Sequence, residues 1–134
     1  LQVTSASCGT GKSRGGIMSK VFGIHRVTLR PGISGKQFEK FYHDKMASGT
    51  MYPGWKVHLL KADRGEHEGE YAVLFEMDSV QARDRYSPSP NKFSKEAEQF
   101  NQAHPEMVTL LEEWGKLAST PGDNDIYTDY VTVE

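Results

Sequence analysis

Three side chains in this sequence combine proton-transfer chemistry with a position that could meet a ligand: His25, Tyr86 and His104. His25 alternates with Gly23 and Val27 in a strand-like stretch, so the three are expected on one face of a sheet, where the glycine leaves space beside the imidazole. An imidazole next to such a space could act as a general base. It could equally be a sheet histidine that hydrogen-bonds a neighbouring strand, and the residues alone leave both alternatives open.

His104 and Tyr86 are both expected at helix ends. His104 precedes Pro105, which biases it away from helical geometry. Its imidazole could then serve as a general base or an iron ligand, or it could cap free carbonyls of the helix. The hydroxyl of Tyr86 could orient a carbonyl or phenolate substrate, or simply find a structural partner. We predict His25, Tyr86 and His104 as the catalytic set.

The remaining histidines and the single cysteine give weaker indications of a functional site. His43 has charged neighbours and His67 lies in an acidic stretch, so both are expected on solvated surfaces, while His58 alternates with polar and apolar residues in a strand pattern. The sequence has no His-x-x-x-His or Cys-x-x-Cys spacing, and we therefore predict no dedicated metal site. A nucleophilic triad is not indicated, because Cys8 lies near the N-terminus and no Ser occupies a Gly-x-Ser-x-Gly turn.

The N-terminal segment contains a weak phosphate-loop pattern, ASCGTGKS at residues 6–13. A phosphate loop requires a helix to begin at its Lys-Ser step. Two glycines follow at 15 and 16 instead, and each costs a helix about 1 kcal/mol relative to Ala. We predict that residues 1–17 are a disordered or artificially added extension and that residues 18–134 form the domain.

Composition fits one ordinary globular domain. The chain has 134 residues, of which 37% are hydrophobic and 25% charged. Its formal net charge of −2 lacks the basic excess of a general nucleic-acid binder. No apolar run approaches the roughly 20 residues of a membrane-spanning helix. We therefore expect a cytoplasmic protein with neither nucleic acid nor membrane as a partner.

Periodicity and turn signals predict the elements that would position these side chains. Ser34 with Gln37, and Asp78 with Gln81, have the spacing of capping boxes at two helix starts. The predicted strands are 20–30, 55–62, 70–77 and 126–133, and the predicted helices are 34–46, 78–86, a helix restarting at 94, and a long helix from about 107 to 118, with Pro105 at a kink or a fresh first turn.

The order β-α-β-β-α-(α)-β predicts a ferredoxin-like α+β sandwich with an antiparallel sheet. Apolar residues fall on both faces of the strands, and a patch of that size is seldom left in water by a monomer. We therefore predict a two-fold homodimer in which two sheets form a closed barrel. The two apolar sets are Phe22, Ile24, Leu60, Leu74, Val131 and Val133, and Val21, Val27, Val57, Leu59, Val73 and Phe75.

The chain resembles the dimeric α+β barrel superfamily, which includes antibiotic-biosynthesis monooxygenase-like, heme-degrading, EthD-like and stress-responsive families. The motifs HRVTLRPG at 25–32 and EKFYH at 39–43 are similar to the first strand, turn and helix of heme-degrading members, and EMDSV at 76–80 and FNQAH at 100–104 follow the same layout. The resemblance implies that His25, Tyr86 and His104 take the pocket positions that hold Asn, Trp and His in those proteins.

The resemblance also supplies the functional expectation. It implies a small-molecule pocket between sheet and helices, in which an aromatic or polyketide-like substrate is deprotonated and oxidised by dioxygen without a metal. His25 or His104 would be the base and Tyr86 the orienting donor. The alternatives are a heme-binding or heme-degrading protein, for which heme would be the cofactor, and a non-catalytic, stress-associated barrel.

Overall fold

Strands and helices follow the predicted order in the computed structural model, which describes residues 19–47, 49, 51–90, 92–119 and 127–133. The predicted extension at 1–17 lies outside the described residues. The elements are β1 Val21–Val27, α1 Gly35–Phe41 continued by a π-helical turn Tyr42–Met46, β2 Trp55–Lys61, β3 Tyr71–Met77, α2 Val80–Tyr86, α3 Lys95–Ala103, α4 Pro105–Leu117 and β4 Tyr127–Val131.

The four strands form one sheet in the order β2-β3-β1-β4. Each neighbouring pair is antiparallel. This order, with β1 and β3 in the centre and the helical connections between strands, defines the ferredoxin-like α+β fold, and the predicted fold class is confirmed.

β1 is shorter than the predicted strand 20–30, and the end of α4 is the reason. Beyond Val27 the backbone bonds to the segment after α4 and no longer to the sheet: Leu29 forms an isolated bridge with Ala118. The amide of Arg30 donates to the carbonyl of Leu117 at 2.8 Å, and the amide of Ser119 donates to Thr28 at 2.8 Å. The stretch after β1 therefore fastens the long helix to the sheet.

Serine hydroxyls cap the first three helices, α1, α2 and α3. The hydroxyl of Ser34 accepts from the amide of Gln37 at the start of α1, as predicted. The predicted cap Asp78 is wrong by one residue, since Ser79 caps α2 by accepting from the amide of Ala82. Asp78 still belongs to the preceding turn, because its amide donates to the carbonyl of Gly54 at 2.9 Å.

Aromatic packing dominates the first core cluster, which lies between the sheet and helices α1 and α4. Phe38 is fully buried and meets the rings of Tyr71 and Trp114 edge to face at 5.2 and 4.9 Å. Trp114 is 2% exposed and donates its indole N–H to the carbonyl of Ser119 at 2.9 Å. The buried members of the cluster are Val27, Phe38, Tyr71, Val73, Trp114 and Ala118.

A polar contact at the edge of this cluster ties α1 to the sheet. The Tyr71 hydroxyl donates to the carboxylate of Glu39, which also accepts from Lys61 at 3.3 Å. Burial and the bond to Glu39 raise the pKa of Tyr71 to about 12. The hydrogen bonds from Tyr71 and Lys61 lower the pKa of Glu39. The neutral phenol and the ionised carboxylate are thus the forms that the fold favours.

A second core cluster is built by α2, α3 and the start of α4. Its buried members are Tyr52, Tyr86, Ala97 and Met107, with Met51, Trp55 and Phe100 packed against them. Trp55 donates its indole N–H to the carbonyl of Ala82 at 2.9 Å. The beginning of β2 is thereby joined to α2.

The two faces of the sheet are unequal. We call the face that carries Val21, Gly23, His25 and Val27 of β1 the inner face, because the helices cover it, and the opposite face the outer face. The outer face holds Phe22, Ile24, Leu60, Leu74 and Tyr130 together with charged residues. Val131 pairs with Val21 in the register and so lies on the inner side, which corrects its predicted grouping with Phe22.

The position of the α2 cap gives a stability prediction. We expect Ser79→Ala to lower the free energy of unfolding by about 1 kcal/mol, because the amide of Ala82 loses its acceptor. Asp78→Ala, the matched control one residue earlier, leaves that hydrogen bond in place and should cost less than half as much. Urea denaturation of both variants measures the difference, and an equal or larger loss in Asp78→Ala would contradict the assignment.

Candidate functional site

His25 lies on the inner face of the central strand β1 between two aromatic rings. Its imidazole is stacked on Tyr127 with ring centroids 4.7 Å apart and planes 7° from parallel. An edge-to-face contact with Phe75 completes the packing, with centroids 5.1 Å apart and an angle of 78°. The side chain is half-buried. Strand register produces this arrangement, because Tyr127 of β4 pairs directly with His25.

The space expected beside His25 at Gly23 is occupied. Asp129 pairs with Gly23 across the strands, and a Cβ placed on Gly23 would lie 2.6 Å from Oδ1 of Asp129. The sequence-based expectation that a ligand could approach over this glycine is therefore wrong. The missing side chain instead lets a carboxylate lie close to the backbone of β1.

Asp129 is held in place by an ion pair from α2. Nη1 of Arg83 lies 3.1 Å from Oδ2 of Asp129, and both side chains are about one quarter exposed. Nε of Arg83 lies 2.9 Å from the exposed carboxylate of Asp84. Burial opposes the charge of Arg83, but the two carboxylates outweigh it and raise its pKa. One guanidinium between two carboxylates leaves this group with a local charge of −1.

A small cleft opens beside this ion pair. Its volume is about 130 Å³, and it is bounded by the loop 87–90 after α2 together with Arg83, Tyr127 and Asp129. A cavity of about 150 Å³ accommodates benzene in an engineered protein, so this cleft has room for about one aromatic ring. Tyr127 contributes to the cleft and also stacks on His25.

Another cleft, of about 380 Å³, lies at the far end of β1, between residues 26–29 and 69–71. Two charged residues that line it form an ion pair, since Nη2 of Arg26 lies 2.8 Å from a carboxylate oxygen of Glu70. None of the three predicted site residues lines it.

Tyr86 is packed deep in the second core cluster. It is only 4% exposed, and its ring is stacked on Tyr52 with centroids 4.6 Å apart. Tyr52 in turn donates its hydroxyl to Asn101 at 3.2 Å, and burial raises the pKa of Tyr52. Tyr86 thus forms part of a wall of rings, and its predicted role as a substrate donor stays a prediction.

His104 occupies the junction between α3 and α4. It ends α3, and Pro105 is the first residue of α4, which confirms the predicted helix-end position and the fresh first turn. The imidazole packs on Phe100 with centroids 4.2 Å apart, and Nδ1 lies 3.1 Å from the carboxylate of Glu106. These two contacts give the His104 imidazole a structural role at the helix junction, and its catalytic role stays a prediction.

A continuous series of ring contacts connects the three predicted residues. Tyr86 and His104 both contact Phe100, while His25 reaches the same cluster through Phe75 and Trp55. The structure thus places Tyr86 and His104 around the same ring, Phe100, and His25 at the opposite end of the series. Of the three, His25 is the one whose stacking partner lines the small cleft.

The packing around these residues does not fit heme. The ring of Tyr86 is covered by Tyr52, and the face of His104 is covered by Phe100. The cleft near His25 holds about one aromatic ring, whereas a porphyrin carries four pyrrole rings. We therefore derive no chemistry through heme for this site.

The other histidines lie on the surface, as predicted for His43 and His67. The side chain of His43 is 86% exposed, and that of His67 is half exposed beside Glu70. His58 lies on the outer face, with Nε2 3.2 Å from Glu76. Among the described ranges no group of three or more potential ligands is placed to hold a metal ion. No helix in that part of the chain has the length and apolar character to cross a membrane.

Sequence reasoning missed Arg83, Tyr127 and Asp129. One signal was available: an aspartate in an alternating strand falls on the face that the flanking Tyr127 and Val131 share, where an unpaired carboxylate would be costly. Its partner could not be found in this way, because Arg83 lies on α2 and only the tertiary position of that helix relative to β4 brings the two together.

Comparisons with solved structures find distant similarities. One similar structure is a dimeric protein of unknown function with a ferredoxin-like fold from Bacteroides fragilis, 15% identical, with a TM-score of 0.46 over 83% of this chain and 94% of that chain. Another is At3g17210 from Arabidopsis thaliana, 20% identical, with a TM-score of 0.46 over 85% and 96%. No protein-family model and no curated protein sequence matches the chain.

The contact between Gly23 and Asp129 gives a second prediction. We expect Gly23→Ala to lower the free energy of unfolding by about 1–3 kcal/mol, because the new methyl group would displace the Asp129 carboxylate from Arg83. A double-mutant cycle measured by urea denaturation tests this. In the Asp129→Ala background, which has no carboxylate to displace, the same glycine substitution should be neutral or slightly stabilising. The same cost in both backgrounds would show that Gly23 is required for another reason.

Proposed function

We propose that this protein is a member of the dimeric α+β barrel superfamily and acts as a cofactor-independent, monooxygenase-like enzyme on small hydroxylated aromatic or polyketide-like compounds. One observation carries the proposal: the half-buried imidazole of His25 is stacked on Tyr127, and Tyr127 lines a cleft with room for about one aromatic ring. His25 does not itself line this cleft, because the ring of Tyr127 lies between them. In this proposal the imidazole takes the proton of a phenol through one bridging water, the longest reach that a general base has.

The reaction balances without a metal or an added reductant. Removing a proton from a dihydroxybenzene such as resorcinol gives a phenolate whose negative charge is shared with a ring carbon. Dioxygen bonds to that carbon, and loss of water then leaves a quinone, so that one resorcinol and one dioxygen give one hydroxybenzoquinone and one water. The substrate loses four electrons and dioxygen gains four. One oxygen atom enters the product, and the other leaves as water with two hydrogens of the substrate.

His25 is the better candidate for the base. Tyr127 connects it to the cleft, whereas His104 is covered by Phe100 and its Nδ1 faces Glu106. Tyr86, which is stacked on Tyr52, supports the aromatic wall between the two histidines. In this proposal Arg83 and Asp129 position the substrate, and Tyr86 and His104 shape the layer behind it.

Oxygen consumption tests the activity. We expect purified protein to consume one O2 per resorcinol and to form hydroxybenzoquinone without hydrogen peroxide. Replacing a general base typically costs 10²–10⁴-fold, so His25→Gln should lower kcat by at least about 100-fold. His67→Gln, a substitution of a half-exposed loop histidine, is the matched control and should leave the rate unchanged.

The outcome of this assay separates the histidines. A loss confined to His104→Gln would transfer the role of base to His104 and contradict the assignment to His25. No oxygen consumption above a protein-free blank, with resorcinol or with larger polyhydroxylated aromatics, would remove the enzymatic proposal.

A non-catalytic barrel is the second candidate, and one observation favours it. The aromatic side chains of the first core cluster fill the space between α1, α4 and the sheet, with Phe38 fully buried. A protein of this kind would keep its dimeric form and show no turnover in the oxygen assay.

The homodimer is the assembly in which we propose that this site works. The outer face carries Ile24 and Leu60 at 36% and 39% exposure and Tyr130 at 57%. Glu76, a carboxylate on this face, already has two partners, since it accepts from Lys20 at 2.7 Å and lies 3.2 Å from His58. A second sheet can therefore cover this face without leaving Glu76 unpaired.

A charge placed in the middle of the outer face tests the dimer. We expect Ile24→Lys to convert a dimer into a monomer at micromolar concentration, because the proposed interface would bury an unpaired lysine on each protomer. Leu111→Lys is the matched control, since Leu111 is similarly exposed at 45% but lies on α4. Size-exclusion chromatography with light scattering gives both masses. A monomeric parent protein, or a dimer that survives Ile24→Lys, would contradict the proposed interface.

A further inference from the structure

We infer that the cleft between β4 and the loop 87–90 is the subsite that selects a neutral, hydroxyl-bearing single aromatic ring, with Asp129 as the acceptor for its hydroxyl. The inference rests on the proposed function, because it names the substrate class of the same site. Every lining residue belongs to the described part of the chain: Arg83, Ser87, Pro88, Ser89, Pro90, Tyr127 and Asp129.

The walls of the cleft suit an aromatic ring. The tyrosine ring of Tyr127 forms one side, and the rings of Pro88 and Pro90 contribute further apolar surface. Aromatic rings pack well on such surfaces. The volume of about 130 Å³ leaves room for about one ring, so larger fused systems would have to extend out of the cleft.

The polar end of the cleft sets the preference for a hydroxyl group. Asp129 is fixed by Arg83 on one side and by the backbone of Gly23 on the other, so its carboxylate is preorganised. A carboxylate accepts hydrogen bonds only, and a phenolic O–H donates one. Bonds to a charged acceptor are about twice as strong as neutral ones.

The local charge excludes anionic rings. Arg83 is shared between Asp84 and Asp129, so the group carries a net charge of −1. A benzoate in the cleft would place its own carboxylate beside that of Asp129. The site should therefore bind resorcinol better than benzoate, and better than benzene, which offers no donor.

Binding measured by ligand-observed NMR tests the subsite, with resorcinol, benzoate and benzene as probes. We expect resorcinol alone to bind detectably, and Asp129→Asn to weaken it about tenfold, because a neutral amide oxygen replaces the carboxylate. Asp84→Asn is the matched control, since it removes the same amount of charge beside Arg83 but lies outside the cleft lining. It should leave resorcinol binding unchanged and weaken only the exclusion of benzoate.

A second variant keeps the test independent of the Arg83 pair. Ser89 is exposed and lines the cleft, so Ser89→Trp should fill it and abolish resorcinol binding while the protein stays folded. Gln99→Trp adds the same side chain at an exposed position on α3 and should bind resorcinol normally. Equal binding in all four variants, stronger binding of benzoate, or no binding of resorcinol would each overturn the inference.

Different results would contradict the proposed oxidation and the proposed subsite. Resorcinol binding that depends on Asp129 but gives no oxygen consumption supports the subsite and removes the oxidation. Oxygen consumption whose KM is unchanged in Asp129→Asn and Ser89→Trp supports the oxidation and removes the subsite.

Discussion

The carboxylate of Asp129, lying over the bare backbone of Gly23 and paired with Arg83, is the contact on which the site depends. It joins the edge strand β4, the central strand β1 and helix α2 at one point. Since both charged side chains are about one quarter exposed, their pairing is screened less than a surface ion pair and costs less to desolvate than a fully buried one. The register of β4 on β1 places Asp129 over Gly23 and Tyr127 on His25, and Tyr127 forms one wall of the cleft.

A series of aromatic contacts connects His25 on the sheet with the helical layer. The series from His25 through Phe75 and Trp55 to Tyr86 and Phe100 spans the space between the two core clusters. Large rings bury much apolar area and prefer defined edge-to-face or stacked geometries, so such a layer has little freedom to open a wide pocket. This explains why a porphyrin does not fit between these rings, and why the two clefts open at the edges of the ring series, one beside β4 and one at the far end of β1.

Local signals in the sequence are sufficient to predict the helices and strands. Ser34 and the Pro105 junction were predictable because a cap and a proline act within one turn of the chain, and alternation placed the strands that build the sheet. The α2 cap was misplaced by one residue because Asp78 and Ser79 are both good caps, and only the tertiary bond from Asp78 to Gly54 decides between them. The Gly23 space and the Asp129–Arg83 pair depend on strand register, which sequence spacing within one element cannot supply.

A crystal structure of the protein soaked with resorcinol examines this arrangement most directly. The ring should lie against Tyr127 and the loop 87–90, with one hydroxyl within hydrogen-bond distance of Asp129 and the Arg83 pair intact. A ring bound between Tyr86 and His104, or a ligand near β4 that leaves Asp129 without a hydroxyl partner, would show that the ion pair over Gly23 is structural and that the chemistry, if any, belongs elsewhere.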